Sequence, residues 1–355
     1  MVDPATHAPP IAGGNETAAA ASIRPNDGWS AQRLPYRRAY AALDLGTNNC
    51  RLLIARPDGN RFSVIDAFSR IVRLGEGMAT SGMLSDAAMD RAVSALSVCA
   101  EKLVRRNVHM ARSVATEACR RAGNGPDFVA RVYRETGIKL DVIAPREEAR
   151  LAVIGCHALL EPGEGTALIF DIGGGSTELV LVDTTGDEPR TLDWLSAPWG
   201  VVSLSEAVPH DTADPEAREH AYRHMRERVA DAFAPLRQRG AGNGAHPRRL
   251  LGTSGTVTTL ASVYLQLPHY DRKQIDGLHV ETREMREICR LLAGQSVAER
   301  AAWPCIGAER ADLVVAGCAI LESIFDIWPA ERVGIADRGI REGILRQLIA
   351  SDRRR

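Results

Sequence analysis

A chain of 355 residues, 45% hydrophobic and 25% charged, has room for two domains and the composition of an ordinary globular protein. Its net charge of −1 excludes a global basic field for a nucleic-acid polymer, so an acidic ligand must be held by local arginines and backbone amides. Seven scattered cysteines without a C-x-x-C pair argue against a disulfide framework and a zinc site. No apolar run is long enough to span a membrane and the first residues lack the pattern of a secretion signal, so a cytoplasmic protein with no membrane partner is expected.

In chain order, residues 1–36 are rich in Pro, Ala, Gly, Asn and Thr without apolar periodicity and are expected to form a disordered tail. Strands are predicted at 39–45, 50–56 and 61–72. The first two are joined by a turn at Gly46-Thr47-Asn48-Asn49, and Pro57-Asp58-Gly59-Asn60 completes a three-stranded meander. The segment Ser69–Gly77 then leaves the sheet, carrying arginines that either reach a cleft or are simply solvated. Ser85 is a candidate N-cap for a helix running to Arg106. A short strand at 112–116 is followed by Arg120, near a strand's carboxyl end where open α/β sheets bind ligands. The alternative is a surface arginine.

A strand at 139–143 runs into Pro145-Arg146-Glu147-Glu148-Ala149-Arg150 and an apolar helix. Proline and acids suit the first turn of a helix, which is one reading. The other is a general base at the mouth of a cleft. Adjacent carboxylates on a helix point about 100° apart, so only one of the two can face a substrate.

The stretch Ala167–Gly186 is strand, turn over Gly173-Gly174-Gly175, and strand. It aligns without a gap on Ala41–Gly59, placing Asp44 on Asp171, Gly46 on Gly173, Asn49 on Ser176 and Arg51 on Glu178. Consecutive amides in such turns form an anion-binding concavity. Two of them, each entered by an aspartate, point to a duplicated architecture that grips a phosphate chain from both sides, with Asp44 and Asp171 positioning a metal. Further on, Thr191–Ala197 reads as a strand, Trp199–Ser203 as a turn, and 212–238 as a long charged helix with a solvated face. His220 and His224 on that helix lack the glutamate of H-E-x-x-H. Gly252-Thr253-Ser254-Gly255-Thr256 is again strand into glycine turn, opening an apolar helix at whose N-terminus a phosphate can sit. Asp271–Asp276 is a polar segment placed to cap a cleft, Glu309–Ile327 is apolar enough for burial, and Arg332–Ile335 precedes a last helix. P-loop and G-x-S-x-G motifs are absent from the sequence.

Together ALDLGTNNCRLLIA, VRLGEGM, ATEACRRAGN, REEARL, DIGGGSTELV, GTSGT and DRGIREGIL, in this order between Tyr40 and Leu345, resemble the exopolyphosphatase / guanosine pentaphosphate phosphohydrolase family of the actin, sugar kinase and heat-shock chaperone superfamily. The resemblance implies two α/β domains of the ribonuclease H-like type flanking a cleft: domain I over 37–160, domain II over 161–337, and a helix in 338–355 packing back on domain I. It implies hydrolysis of a terminal phosphate from inorganic polyphosphate or guanosine pentaphosphate. It also assigns roles: Glu148 as the base that activates water, and Asp171 and Glu178, with Asp44, as residues for Mg2+ (Mn2+ as an alternative). Gly46, Thr47, Asn48, Asn49, Arg120, Gly173, Gly174, Gly175, Ser176, Thr177, Gly252, Ser254 and Gly255 are implied to hold phosphate. A homodimer fits the family. Longer members continue into helical domains after this point, so shorter chains or a nucleotide are expected as substrates. Rival readings are an acceptor-dependent kinase of the same superfamily and a non-catalytic polyphosphate or nucleotide sensor.

Overall fold

The structure is a computed structural model that describes residues 38–354 apart from 60, 164, 187–188 and 243–245. The tail expected over 1–36 lies outside the described residues.

Two sheets carry the fold. The first contains β1 (Ala39–Leu45), β2 (Asn49–Asp58), β3 (Arg61–Ile71), β4 (Val108–Ala115) and β5 (Leu140–Val142), in the order β3-β2-β1-β4-β5. The second contains β6 (Thr166–Ile172), β7 (Thr177–Asp183), β8 (Arg190–Ala197), β9 (Arg249–Thr253), β10 (His279–Glu281) and β11 (Arg332–Ala336), in the order β10-β11-β9-β6-β7-β8. β1 runs antiparallel to β2 and parallel to β4, and β6 runs antiparallel to β7 and parallel to β9. The two meanders and their parallel neighbours are therefore the same device used twice, with β10 added at one edge. The central strands read as continuous apolar runs, AYAALDL and TALIFDI, because helices cover both of their faces.

The helix Pro145–Cys156 is wedged between the sheets. Leu151 and Ala152 pack with Tyr40, Leu53 and Val114 of the first sheet. Ala149, Val153 and Cys156 pack with Ala167, Ile169 and Val180 of the second. The last helix, Ile340–Arg353, lies against the wedge helix at unusually close range. A Cβ on Gly155 would fall 1.9 Å from the Gly339 carbonyl oxygen, and one on Gly343 2.1 Å from that of Leu151. Ile344 and Leu345 join the first-sheet cluster, and Asp352 at the far end accepts from the Tyr40 hydroxyl at 2.5 Å and from Arg38 at 2.9 Å.

Ser85 does cap its helix, accepting from the Ala88 amide at 3.2 Å. Three readings are corrected. The charged helix, Pro215–Gly242, is not merely a solvated face: Tyr222, Met225, Val229, Phe233 and Leu236 form a buried stripe at helical spacing, hidden in the sequence by the surrounding charge. Trp199–Ser203 does not stay a turn, since a helix begins at Val201. Within Glu309–Ile327 the helix starts only at Val314, leaving Glu309–Asp312 as a loop ahead of it in which Glu309 and Arg310 are exposed and Ala311 is buried.

Candidate active site

The two glycine turns face each other across the cleft between the sheets. Each is closed by the same bond: Gly46 N–H donates to the Asn49 carbonyl at 2.9 Å, and Gly173 N–H to that of Ser176 at 3.0 Å. Their approach leaves no room for a side chain. A Cβ on Gly174 would lie 3.1 Å from the Asn48 nitrogen, and one on Gly175 2.7 Å from Thr47 Oγ1. The amides of Thr47, Asn48, Gly174 and Gly175 have no backbone acceptor among the described residues, the condition for an anion nest. A third turn enters from β9, where Ser254 takes a left-handed φ of 85°. This conformation is costly for a residue with a Cβ and is typical of functional sites. It is held by a bond from Ser254 Oγ to the Ile172 carbonyl at 2.5 Å. Gly255, Thr256 and Thr259 then present the N-terminal turn of the Gly255–Tyr264 helix to the same cavity.

The adjacent acids of the wedge helix separate as its geometry requires. Glu147 turns outward, bound by Arg112 at 3.0 Å and Arg150 at 2.7 Å, and the Arg150 bond in particular holds its carboxyl below the usual range. Glu148 turns inward, lines the cleft and is buried. Arg120 reaches it at 3.1 Å while also binding Glu117 at 2.5 Å and the Ile143 carbonyl at 2.6 Å. Burial first, then the neighbouring Glu178, pushes the Glu148 carboxyl well above its usual range, against the pull of Arg120.

Strand register sets the remaining acids. Asp44 lies opposite Arg51 across β1–β2, and Asp171 opposite Glu178 across β6–β7. Asp171 is pushed up to about 6 by burial and by Asp44, and Glu178 up to about 7 by burial and by Asp171. Glu178 Oε1 still accepts from the Ser176 and Ser196 hydroxyls at 2.7 and 2.8 Å. Asp44 is raised by burial as well, and its Oδ1 is buried without a partner. No three His, Cys, Asp or Glu side chains among the described residues converge closely enough to cage a metal. An orphaned carboxylate oxygen beside two mutually repelling acids nevertheless suits a hard cation that keeps most of its waters.

Of the residues singled out in the sequence, Asp44, Gly46, Thr47, Asn48, Asn49, Glu148, Asp171, Gly173, Gly174, Gly175, Ser176, Glu178, Ser254 and Gly255 line this one cavity. Three do not. Arg120 is spent on Glu117 and Glu148 behind the wall. The Thr177 hydroxyl is buried and donates to the Trp199 carbonyl at 2.7 Å. Gly252 sits within β9, where a Cβ would meet the Phe170 ring at 2.7 Å. Six polar lining residues went unassigned: Arg51, Thr116, Glu117, Thr256, Thr259 and Arg310. Arg51 had a signal, its alignment with Glu178. Arg310 had none, since it precedes an apolar helix with no motif around it.

The profile of the Ppx/GppA phosphatase family matches residues 53–352. Exopolyphosphatase 2 of Mycobacterium tuberculosis (strain H37Rv) is 32% identical over 296 residues, covering 80% of this chain and 89% of the relative. The guanosine-5'-triphosphate,3'-diphosphate pyrophosphatase of Aeromonas salmonicida is 30% identical over 325 residues, which are 88% of this chain and 60% of that protein. The crystal structure of an exopolyphosphatase from Cytophaga hutchinsonii superposes with a TM-score of 0.79 at 25% identity, covering 88% of this chain and 98% of that one. The Aquifex aeolicus member of the Ppx/GppA family gives 0.71 at 27%, covering 89% and 98%. With its second glycine turn and its wedge helix inside the matched span, this chain belongs to the Ppx/GppA phosphatase family and is a hydrolase.

Proposed function

We propose that the chain hydrolyses the terminal phosphoanhydride of inorganic polyphosphate, with Glu148 as the base that takes the proton of the attacking water. The observation that carries this reading is the placement of a buried carboxylate, its affinity for protons raised, on the same cavity as three phosphate-type turns. A general base works best when its affinity for protons is near the operating pH, and burial with neighbouring acids moves Glu148 in that direction.

The turn amides of Thr47, Asn48, Gly174 and Gly175 hold phosphoryl oxygens, and Arg51 and Arg310 supply positive charge from opposite lobes. Water oxygen bonds to the terminal phosphorus as the bridging P–O bond breaks. One water proton passes to Glu148, and the shortened chain leaves with the bridging oxygen. A magnesium or manganese ion held by Asp44, Asp171 and Glu178 would neutralise charge on the phosphate oxygens. Arg120 keeps Glu148 aimed and favours its ionised form.

Guanosine pentaphosphate offers the same terminal group. Polyphosphate is favoured because none of the described residues lining the cavity is aromatic, so it offers a purine no stacking platform. The relatives named exopolyphosphatase are also matched over nearly their full length.

The test is orthophosphate release from short and long polyphosphate, guanosine pentaphosphate and ATP with magnesium, with Glu148→Gln alongside. Losing a general base should slow release by about 100- to 10,000-fold with substrate binding retained. A Glu148→Gln enzyme that keeps its rate removes Glu148 from the role. Release from guanosine pentaphosphate alone overturns the substrate choice.

A further inference from the structure

The segment expected to leave the first sheet is tied to the first phosphate turn and to the second lobe at once. The amides of Val72 and Arg73 both donate to the Asn48 carbonyl, at 2.8 and 3.0 Å, and the Gly75 amide donates to the Thr47 carbonyl at 2.9 Å. Arg73 itself sits at a left-handed φ of 46°, a conformation unfavourable for a residue with a Cβ. That backbone aims its guanidinium across the cleft. There it forms a two-pronged pair with Asp312, at 2.8 and 3.1 Å, and donates to the Glu309 carbonyl at 3.0 Å.

Arg310 lies between those two contacts, in the loop ahead of the Val314–Ile327 helix, and its side chain has no carboxylate partner among the described residues. The loop is also held from below. The buried Arg300 donates through Nε to the Ala311 carbonyl at 2.7 Å. Arg310 is thus flanked by an anchor from within its own lobe and another from the opposite lobe.

We propose that the Arg73–Asp312 clasp positions Arg310 over the bound phosphates, making Arg73 and Asp312 positioning residues for the reaction. The proposal rests on the phosphohydrolase reading above. Because the same four-residue segment of the first lobe grips the turn at Thr47 and Asn48, correct seating of that turn and delivery of Arg310 are mechanically one event.

The test uses the full chain with magnesium and tripolyphosphate, comparing Arg73→Met, Asp312→Asn, their combination, and Arg310→Gln in wild-type and Arg73→Met backgrounds. Loss of a positioned binding cation should raise KM by about 10-fold while kcat stays within about 2-fold. A folding defect would instead lower the active fraction and leave KM alone. The combined Arg73/Asp312 variant should be no worse than Arg73→Met. Arg310→Gln should cost about 10-fold in the wild type but under about 2-fold in Arg73→Met, because residues acting as one unit are not additive. Equal Arg310→Gln penalties in both backgrounds, or an unchanged KM, overturn the proposal.

A second readout is independent of activity. The amides of Leu313 and Val314 donate to the Arg310 carbonyl at 3.0 Å, and their hydrogen exchange should quicken about 10-fold in Arg73→Met as local opening becomes easier. Unchanged exchange refutes the clasp whatever the enzyme does. A wild type silent on tripolyphosphate counts against the functional reading, and the exchange result then decides the clasp.

Discussion

Arg120 was expected to grip phosphate, yet its guanidinium is bonded to Glu117, Glu148 and the Ile143 carbonyl. If its work is to set the charge of Glu148, then Arg120→Met must move the pH dependence of catalysis. The contact is 3.1 Å between side chains that are 18% and 9% exposed, so it is only partly screened. Two unit charges at that range interact by about 5 kcal/mol at an effective dielectric of 20. Solvent access at the arginine reduces the net effect, and a neighbouring arginine typically depresses a carboxylate by about 1–3 pH units.

The sign follows directly. Glu148 acts as a base only when ionised. Arg120 is the group that opposes the upward push of burial, Glu178, Asp44 and Asp171. Removing it raises the Glu148 titration further, so the acid limb of kcat/KM shifts to higher pH by about 1–3 units. Once that titration lies above the assay pH, the rate falls about 10-fold for each further unit. Arg120→Lys, which keeps the charge but loses the fork, should recover part of the shift. The assay is orthophosphate release from tripolyphosphate between pH 5 and 9 with magnesium saturating. A raised KM with an unmoved acid limb would refute the argument and return Arg120 to the phosphate.

Two further outcomes test the fold and the acid cluster. The folded-state titration of Glu178 is raised, so the protonated form is favoured in the fold; its stabilising effect is complete near pH 4 and is lost as pH rises through about 7. Glu178→Gln keeps an oxygen for Ser176 and Ser196, and should raise the Tm of the protein in EDTA at pH 8, by an amount corresponding to about 1–3 kcal/mol, but not at pH 4. Destabilisation at both pH values in thermal melts would show that Glu178 is not electrostatically frustrated. Gly343→Ala puts a Cβ 2.1 Å from the Leu151 carbonyl oxygen, forcing apart the helices that carry and brace Glu148. Overpacking of this kind costs about 1–3 kcal/mol, read as a Tm several degrees lower, whereas an unchanged Tm would mean the two helices are not rigidly apposed.

Much of the site was legible because its chemistry is local. A glycine turn needs its glycines adjacent, an aspartate entering it needs one fixed offset, and a helix-start acid needs its place after a proline. Asp44, Gly46, Asp171, Gly173 and Ser254 were therefore visible as spacing, whereas the choice of Glu148 over Glu147 came with the family resemblance. What the spacing cannot carry is direction. Gly252 belongs to the same motif as Ser254, but it lies inside β9 against the Phe170 ring, whereas Ser254 has left the strand at a φ of 85°. Thr177 follows Ser176 and, as the first residue of β7, points the opposite way. Arg310 was hidden because its loop is placed by tertiary contacts, Arg73 on Glu309 and Asp312 and Arg300 on Ala311, that leave no local pattern.

The duplication itself explains why the acids of one lobe are the more exposed to frustration. The two meanders superimpose in register, so Arg51 and Glu178 occupy equivalent cross-strand positions opposite equivalent aspartates. In the first lobe the aspartate gains a cation: Arg51 pulls Asp44 back toward the ionised form against its burial. In the second lobe the aspartate faces another acid, and burial with Asp171 raises Glu178 while burial with Asp44 raises Asp171. One backbone device thus ends with a positive charge on one wall and, on the other, a pair of buried carboxylates whose affinity for protons is raised. A phosphate chain needs both kinds of wall. A duplicated turn with identical side chains on its two copies would supply only one of them.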